Sequence, residues 1–151
     1  MGAQLFRQGL DVPLQRHPIV VTGVAGFIGS ALARRLLEDG STVVGIDNLN
    51  SYYPPALKLA RLRELSKIPG ADDRFRFLKL DLDNSAAISD LFALQRPRSV
   101  VHLAAQAGVR HSIDNPAAYI QSNLVGFGHV LEGCRQHGVE HLVYASSSSV
   151  Y

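Results

Sequence analysis

Three glycines, Gly23, Gly26 and Gly29, follow directly on the apolar run Ile19 to Thr22, and a carboxylate, Asp47, stands at the end of the next apolar run. The chemistry that suits this set is capture of a dinucleotide. Unpaired backbone N–H groups and the positive end of a helix macrodipole would converge on a pyrophosphate, and side chains in the turn would hold it away. Gly23 and Gly26 shape the turn, while Gly29 lets the following helix lie close on its strand. The spacing is GxxGxxG rather than the commoner GxGxxG, so the weight falls on its context. Asp47 lies roughly 20 residues beyond the glycines, where a carboxylate accepts from adenosine ribose hydroxyls. It would repel a 2′-phosphate, and Asn48 rather than an arginine follows it, which favours NAD over NADP.

These residues need elements to hold them. From Ile19 onward, short β-branched runs alternate with amphipathic stretches, the pattern of a parallel sheet covered by helices. Strands are expected at Ile19 to Thr22, Thr42 to Ile46, Phe75 to Leu80, Ser99 to Leu103 and His141 to Ala145. The first helix is expected over Phe27 to Asp39, with Ile28, Leu32 and Leu36 at helical spacing and Gly40 as a stop. A second, basic helix begins near Pro54 and Pro55, carries Leu57, Leu62 and Leu65, and ends before Pro69 and Gly70. Asn84 or Ser85 caps a third that runs to Gln95, and Pro97 closes it. After the turn residues Asp114, Asn115 and Pro116, one long helix is expected from Ala117 to His137. Five strands with right-handed crossovers give a doubly wound α/β sheet in the order 3-2-1-4-5. Ligands in such sheets lie outside the carboxyl ends of the strands. Asp81 and Leu82, Ala104 to Gln106, and Ser146 to Ser149 then share one rim with the glycine turn.

The chain has 151 residues, 46% hydrophobic and 19% charged, enough for one core of ordinary size. The net charge is +2 and the arginines are scattered, so nucleic acid is not an expected partner. A single cysteine, Cys134, offers neither a disulfide framework nor a CxxC site, and the histidines are not read as metal ligands, so no metal is expected. His102 lies inside an apolar strand run, where its role is structural. No stretch is long and apolar enough to span a membrane, and residues 1–18 lack the apolar middle of a signal peptide. The expectation is a loose leader over 1–18 and a cytoplasmic location.

The segments TGVAGFIGS, Asp47, DLD at Asp81 to Asp83, HLAAQAGVR at His102 to Arg110, Asn123, and YASSSSVY at Tyr144 to Tyr151 together resemble the extended short-chain dehydrogenases. Within them the chain is similar to the nucleotide-sugar 4-epimerases of the UDP-glucuronate type, over residues 19–151. The resemblance implies a Rossmann-type fold that binds NAD. Gly23, Gly26, Phe27, Ile28 and Gly29 would surround the pyrophosphate, and Asp47 with Asn48 the ribose. Asp81 and Leu82 would flank the adenine, and Leu103, Ala104 and Ala105 the path to the nicotinamide. Asn123 is implied as a helix amide near the active centre. Ser147 is implied as the catalytic hydroxyl at the sugar C4 oxygen, able to donate and to accept, with Ser148 beside it. Arg110 could clamp the carboxylate of a uronic acid bidentately. The reaction so implied takes a hydride from C4, passes through a ketone that turns in the site, and returns the hydride to the other face.

Oxidation of an alcohol needs a base, which in this family is the tyrosine of a Tyr-x-x-x-Lys helix. Tyr52 and Tyr53 have no lysine at the fourth position beyond them, and Tyr151 is the last residue. The expectation is therefore a partial dinucleotide-binding domain over 19–151, with the base and the substrate domain missing. Such a chain would not turn over substrate by itself. A sheet ending at strand 5 would expose an edge and apolar surface, giving a marginal domain or one completed by a partner chain, and the full-length relative is expected to be a homo-oligomer. A related dehydratase, decarboxylase or reductase half, and a non-catalytic NAD-binding module, remain open alternatives.

Overall fold

The computed structural model describes residues 17–147, so the expected leader lies almost wholly outside the described residues. Its centre is a five-stranded sheet built from β1 (Ile19–Thr22), β2 (Val43–Asp47), β3 (Phe75–Lys79), β4 (Ser99–His102) and β5 (His141–Tyr144). The order is β3-β2-β1-β4-β5, and all neighbours are parallel. The expected doubly wound topology is the one found.

Strand alternation divides the core in two. Val21, Val43 and Phe77 point to one face and pack with Ala33 and Leu37 of α1 (Phe27–Glu38) and with Leu62 and Leu65 of α2 (Pro55–Ser66). Val20, Val44 and Leu78 point to the other, against Ile88, Leu91 and Phe92 of α4 (Ser85–Gln95) and Val130 of α7 (Gly126–Gln136). A sheet buried on both faces needs apolar residues at successive positions, which explains the unbroken β-branched runs. Cys134 packs on the second cluster, and burial pushes its thiol up to about 11, so it stays protonated at neutral pH.

Helix faces depart from the expected stripes by one residue. In α1 the fully buried positions are Gly29, Ala33 and Leu37, while Leu32 and Leu36 are half-buried and Ile28 is exposed. Two small residues on the buried face let α1 sit low on the sheet. In α2 the buried set is Lys58, Leu62 and Leu65, and Leu57 is exposed. A lysine thus occupies the first position of an i, i+4, i+7 core stripe.

Two short helices lie where loops were expected, α3 (Ala71–Arg74) and α5 (Val109–Asp114). Each is too short to show a period. The expected long helix starts as α6 (Pro116–Tyr119), widens into a π-helical segment at Ile120–Val125, and continues as α7. Asn115 caps it by accepting from the Ala118 N–H, and Asn84 caps α4 by accepting from the Ala87 N–H. No helix among the described residues is long and apolar enough to cross a membrane.

Candidate dinucleotide site

Between the carboxyl ends of β1 and β4 the chain order reverses, and there a cavity of about 340 Å³ opens. Its walls include Gly23, Gly26, Phe27, Ile28 and Gly29 from the turn and the start of α1. Asp47 and Asn48 follow from β2, Asp81 and Leu82 from beyond β3, and Leu103, Ala104 and Ala105 from beyond β4.

The turn is shaped by exclusion. Gly23 has φ +69°, and a Cβ there would stand 2.9 Å from the Ala104 backbone. A Cβ on Gly29 would collide with the Gly23 carbonyl oxygen. Neither position accepts a side chain, so at Gly23 and Gly29 backbone alone faces the cavity. Gly26 stands at the N-cap of α1 and offers no side-chain cap, which leaves the first-turn N–H groups to a ligand. Phe27 and Ile28, 78% and 64% exposed, give the cavity an apolar lip. Behind the turn, the Arg61 guanidinium donates to the Ala25 carbonyl at 3.2 Å and lies 5.9 Å over the Phe27 ring.

Asp47 is 7% exposed, and both of its carboxylate oxygens have protein partners. One carboxylate oxygen accepts the Ala25 N–H at 3.2 Å and so holds the glycine turn to the end of β2. The other accepts the Leu49 N–H at 2.8 Å, fixing a non-glycine residue at φ +54°. Lys58 reaches that same oxygen at 3.5 Å and the Asn50 carboxamide oxygen at 2.9 Å. Asn48 in turn donates to Asp81 at 2.8 Å, tying the ends of β2 and β3 together. Sequence reasoning misses Lys58 as a wall residue. The signal for it is the misplaced polar residue on the α2 core stripe, a lysine that burial tolerates only beside a partner.

On the other side of the switch point, the Thr22 hydroxyl accepts the N–H groups of Leu103 and Ala104, each at 3.1 Å, and meets His102 Nδ1 at 2.8 Å. With its oxygen accepting twice, the hydroxyl gives its own proton to Nδ1, which assigns the ring proton to Nε2. Burial pulls His102 down to about 4, and its ring stacks on Phe127 at 4.9 Å. The structural role expected for His102 is thus to pin the β4 loop.

Asn123, in the π-helical segment, does not line the cavity. Its carboxamide accepts the Gln106 N–H at 2.8 Å and donates to the Gln106 carbonyl at 3.0 Å, so it holds the loop that does. Arg110 is exposed in the first turn of α5 and is not among the wall residues. Ser147 follows β5 on the same rim, exposed, with Ala145 just before it in the wall. Ser148 lies outside the described residues. Tyr52, Tyr53, Gln106, Ala107 and Ser122 also line the wall, none of them among the residues expected to hold cofactor or substrate. Among the described residues no cluster could hold a metal ion.

A parallel sheet in this order, with a glycine turn at its switch point whose Val24 and Ala25 side chains are buried in the core, and an acid bound to that turn, defines a Rossmann-type dinucleotide-binding domain. The profile of the NAD dependent epimerase/dehydratase family matches residues 19–151, and the chain belongs to that family. It is 49% identical over 133 residues to Protein CapI from Staphylococcus aureus, an alignment that takes in 88% of this chain and 38% of that protein. It is 45% identical to a UDP-glucuronate 4-epimerase from Thermodesulfobacterium geofontis, over 87% of this chain and 40% of that one. Among solved structures, the UDP-glucose 4-epimerase of Thermus thermophilus in complex with NAD superposes with a TM-score of 0.71. It is 36% identical, over 86% of this chain and 37% of its own. The chain therefore spans about two-fifths of the length of the curated relatives it matches.

Proposed function

We propose that this chain forms the NAD-binding part of a nucleotide-sugar 4-epimerase acting on UDP-glucuronate. The observation that carries the reading is the bond from the Ala25 N–H to Asp47, which locks the glycine turn against a carboxylate at the mouth of the switch-point cavity. NAD⁺ bound there would supply a hydride acceptor for C4 of the sugar and, after the ketone has turned, a hydride donor to its opposite face. The residues present fit that group. Backbone N–H groups of the first turn of α1 bind the pyrophosphate, and no side chain competes with it. Asp47 takes the adenosine ribose through lone pairs that its protein partners leave over, and Asp81 with Leu82 takes the adenine. The small side chains of Ala104 and Ala105 let the nicotinamide end lie against backbone, and Asn123 holds that loop in place.

Ser147 orients the C4 oxygen and Ser148 assists it, while Arg110 meets the uronic carboxylate. The likeness to UDP-glucuronate 4-epimerases supports this substrate over UDP-glucose. No tyrosine in the sequence is followed by a lysine at the fourth position, so these 151 residues bind cofactor without abstracting the hydroxyl proton.

Calorimetric titration tests both halves. The chain should bind NAD⁺ at one site and NADP⁺ at least tenfold more weakly, because a buried carboxylate faces the 2′ position. It should leave UDP-glucuronate unchanged during prolonged incubation with NAD⁺. A folded chain that ignores NAD⁺ overturns the cofactor reading, and turnover by these residues overturns the assignment of the base to another segment.

A further inference from the structure

The loop between β2 and α2 does more than follow Asp47. Tyr52, in that loop, reaches across the switch point to the loop after β4. A Cβ on Gly108 would collide with the Tyr52 hydroxyl, so the phenol tip rests directly on the Gly108 backbone. Gly108 has φ +100°, a conformation that favours glycine, and no side chain stands between the loops. The Tyr52 ring lies 4.9 Å edge-on to Tyr53 and 5.4 Å from His111. His111 in turn lies 6.0 Å from Tyr119, whose hydroxyl shares its single proton between the carbonyls of Ala107 and Gly108, at 2.6 and 2.5 Å. The receiving loop is therefore held from behind, by Tyr119 at positions 107 and 108 and by Asn123 at position 106.

Tyr52, Tyr53 and Ala107 all line the cavity, whose floor is the glycine turn. Tyr52 thus bridges two walls that belong to different strands.

We propose that Tyr52 is the latch of a clasp over the dinucleotide groove, closed against Gly108, His111 and Tyr119. The clasp rests on the reading that the groove holds NAD. Every contact in it is between protein groups, so passage of a dinucleotide in either direction must break it. A latch of this kind slows entry and exit together, whereas a side chain that merely touches the bound ligand slows exit alone. The aromatic contacts are few and half-exposed, which sets the scale of the effect at roughly tenfold in rate.

The test is stopped-flow binding and displacement of NAD⁺ on the 151-residue chain, on Tyr52→Ala and on Gly108→Ala. Tyr52→Ala removes the latch, and Gly108→Ala pushes it off from the opposite side. Circular dichroism checks that each variant is folded. Association and dissociation rates that both rise on the order of tenfold in Tyr52→Ala support the clasp, as does the same paired rise in Gly108→Ala. Dissociation that rises while association stays fixed overturns it in favour of direct ligand contact. Both rates unchanged in Tyr52→Ala overturn it outright. If the parent chain binds no NAD⁺, it is the cofactor reading that fails.

Discussion

Replacing Asp47 with alanine separates a residue that serves only a ligand from one that also builds the site. In the structure the carboxylate accepts two backbone N–H groups, from Ala25 and Leu49, and faces Lys58, whose side chain is 9% exposed. A hydrogen bond to a charged group contributes about 1.5–3 kcal/mol, and orphaning one member of a buried ion pair costs about 3–5 kcal/mol. These terms share one carboxylate and do not add. Lys58 also keeps its 2.9 Å bond to Asn50, and its separation from Asp47 is a long 3.5 Å. A combined loss of about 3 kcal/mol follows. For a domain of this size that lowers Tm by roughly 6–12 °C. The assay is thermal and urea unfolding without NAD⁺, on the parent, Asp47→Ala and Asp47→Ala/Lys58→Met. The double variant should regain about 1 kcal/mol or more, because it removes the stranded ammonium. A single variant melting within about 2 °C of the parent would refute the structural role. A double variant less stable than the single one would refute the pairing with Lys58.

Two further outcomes follow from burial and close packing. His102 holds a proton less tightly in the folded chain than in the unfolded one, so its contribution to stability is complete above pH 6.5 and is lost as pH falls towards about 4. The urea midpoint should decline over that window by the equivalent of up to about 3 kcal/mol, and His102→Gln should flatten the decline. Gly29→Ala should destabilise by about 3 kcal/mol or more and abolish NAD⁺ binding, since the new methyl group meets the fixed Gly23 carbonyl rather than a movable side chain. Retention of parental affinity in that variant would count against the close seat of α1 on β1.

Most of the sheet and its order were readable in the chain because a doubly covered sheet demands near-continuous apolar strands, and Ile19 to Thr22 and Val43 to Ile46 meet that demand with little else in them. Helix existence was readable too, but not which face is buried. The α1 stripe Ile28, Leu32, Leu36 is apolar, yet the core takes Gly29, Ala33 and Leu37. Small residues carry little hydrophobic signal and permit the closest approach, so packing geometry overrode the pattern. The α2 stripe hid Lys58 for a related reason, since its partner Asp47 is eleven residues away and across a loop. The reach of Tyr52 to Gly108 has no sequence signature at all. It joins two loops that become neighbours only when β2 and β4 flank β1.

The widened turn at Ile120–Val125 lets one continuous rod serve two clients. Upstream of its exit, Asn123 grips the backbone at Gln106, and downstream, His129 Nδ1 meets the Leu82 carbonyl at 2.8 Å. A uniform α-helix turns about 100° per residue, so losing one residue between these grips would rotate one relative to the other by more than a quarter revolution. Changes in chain length at this point must therefore surrender the cavity wall either at Gln106 or at Leu82. Lineages that vary the neighbouring loops freely should keep the residue count here unchanged.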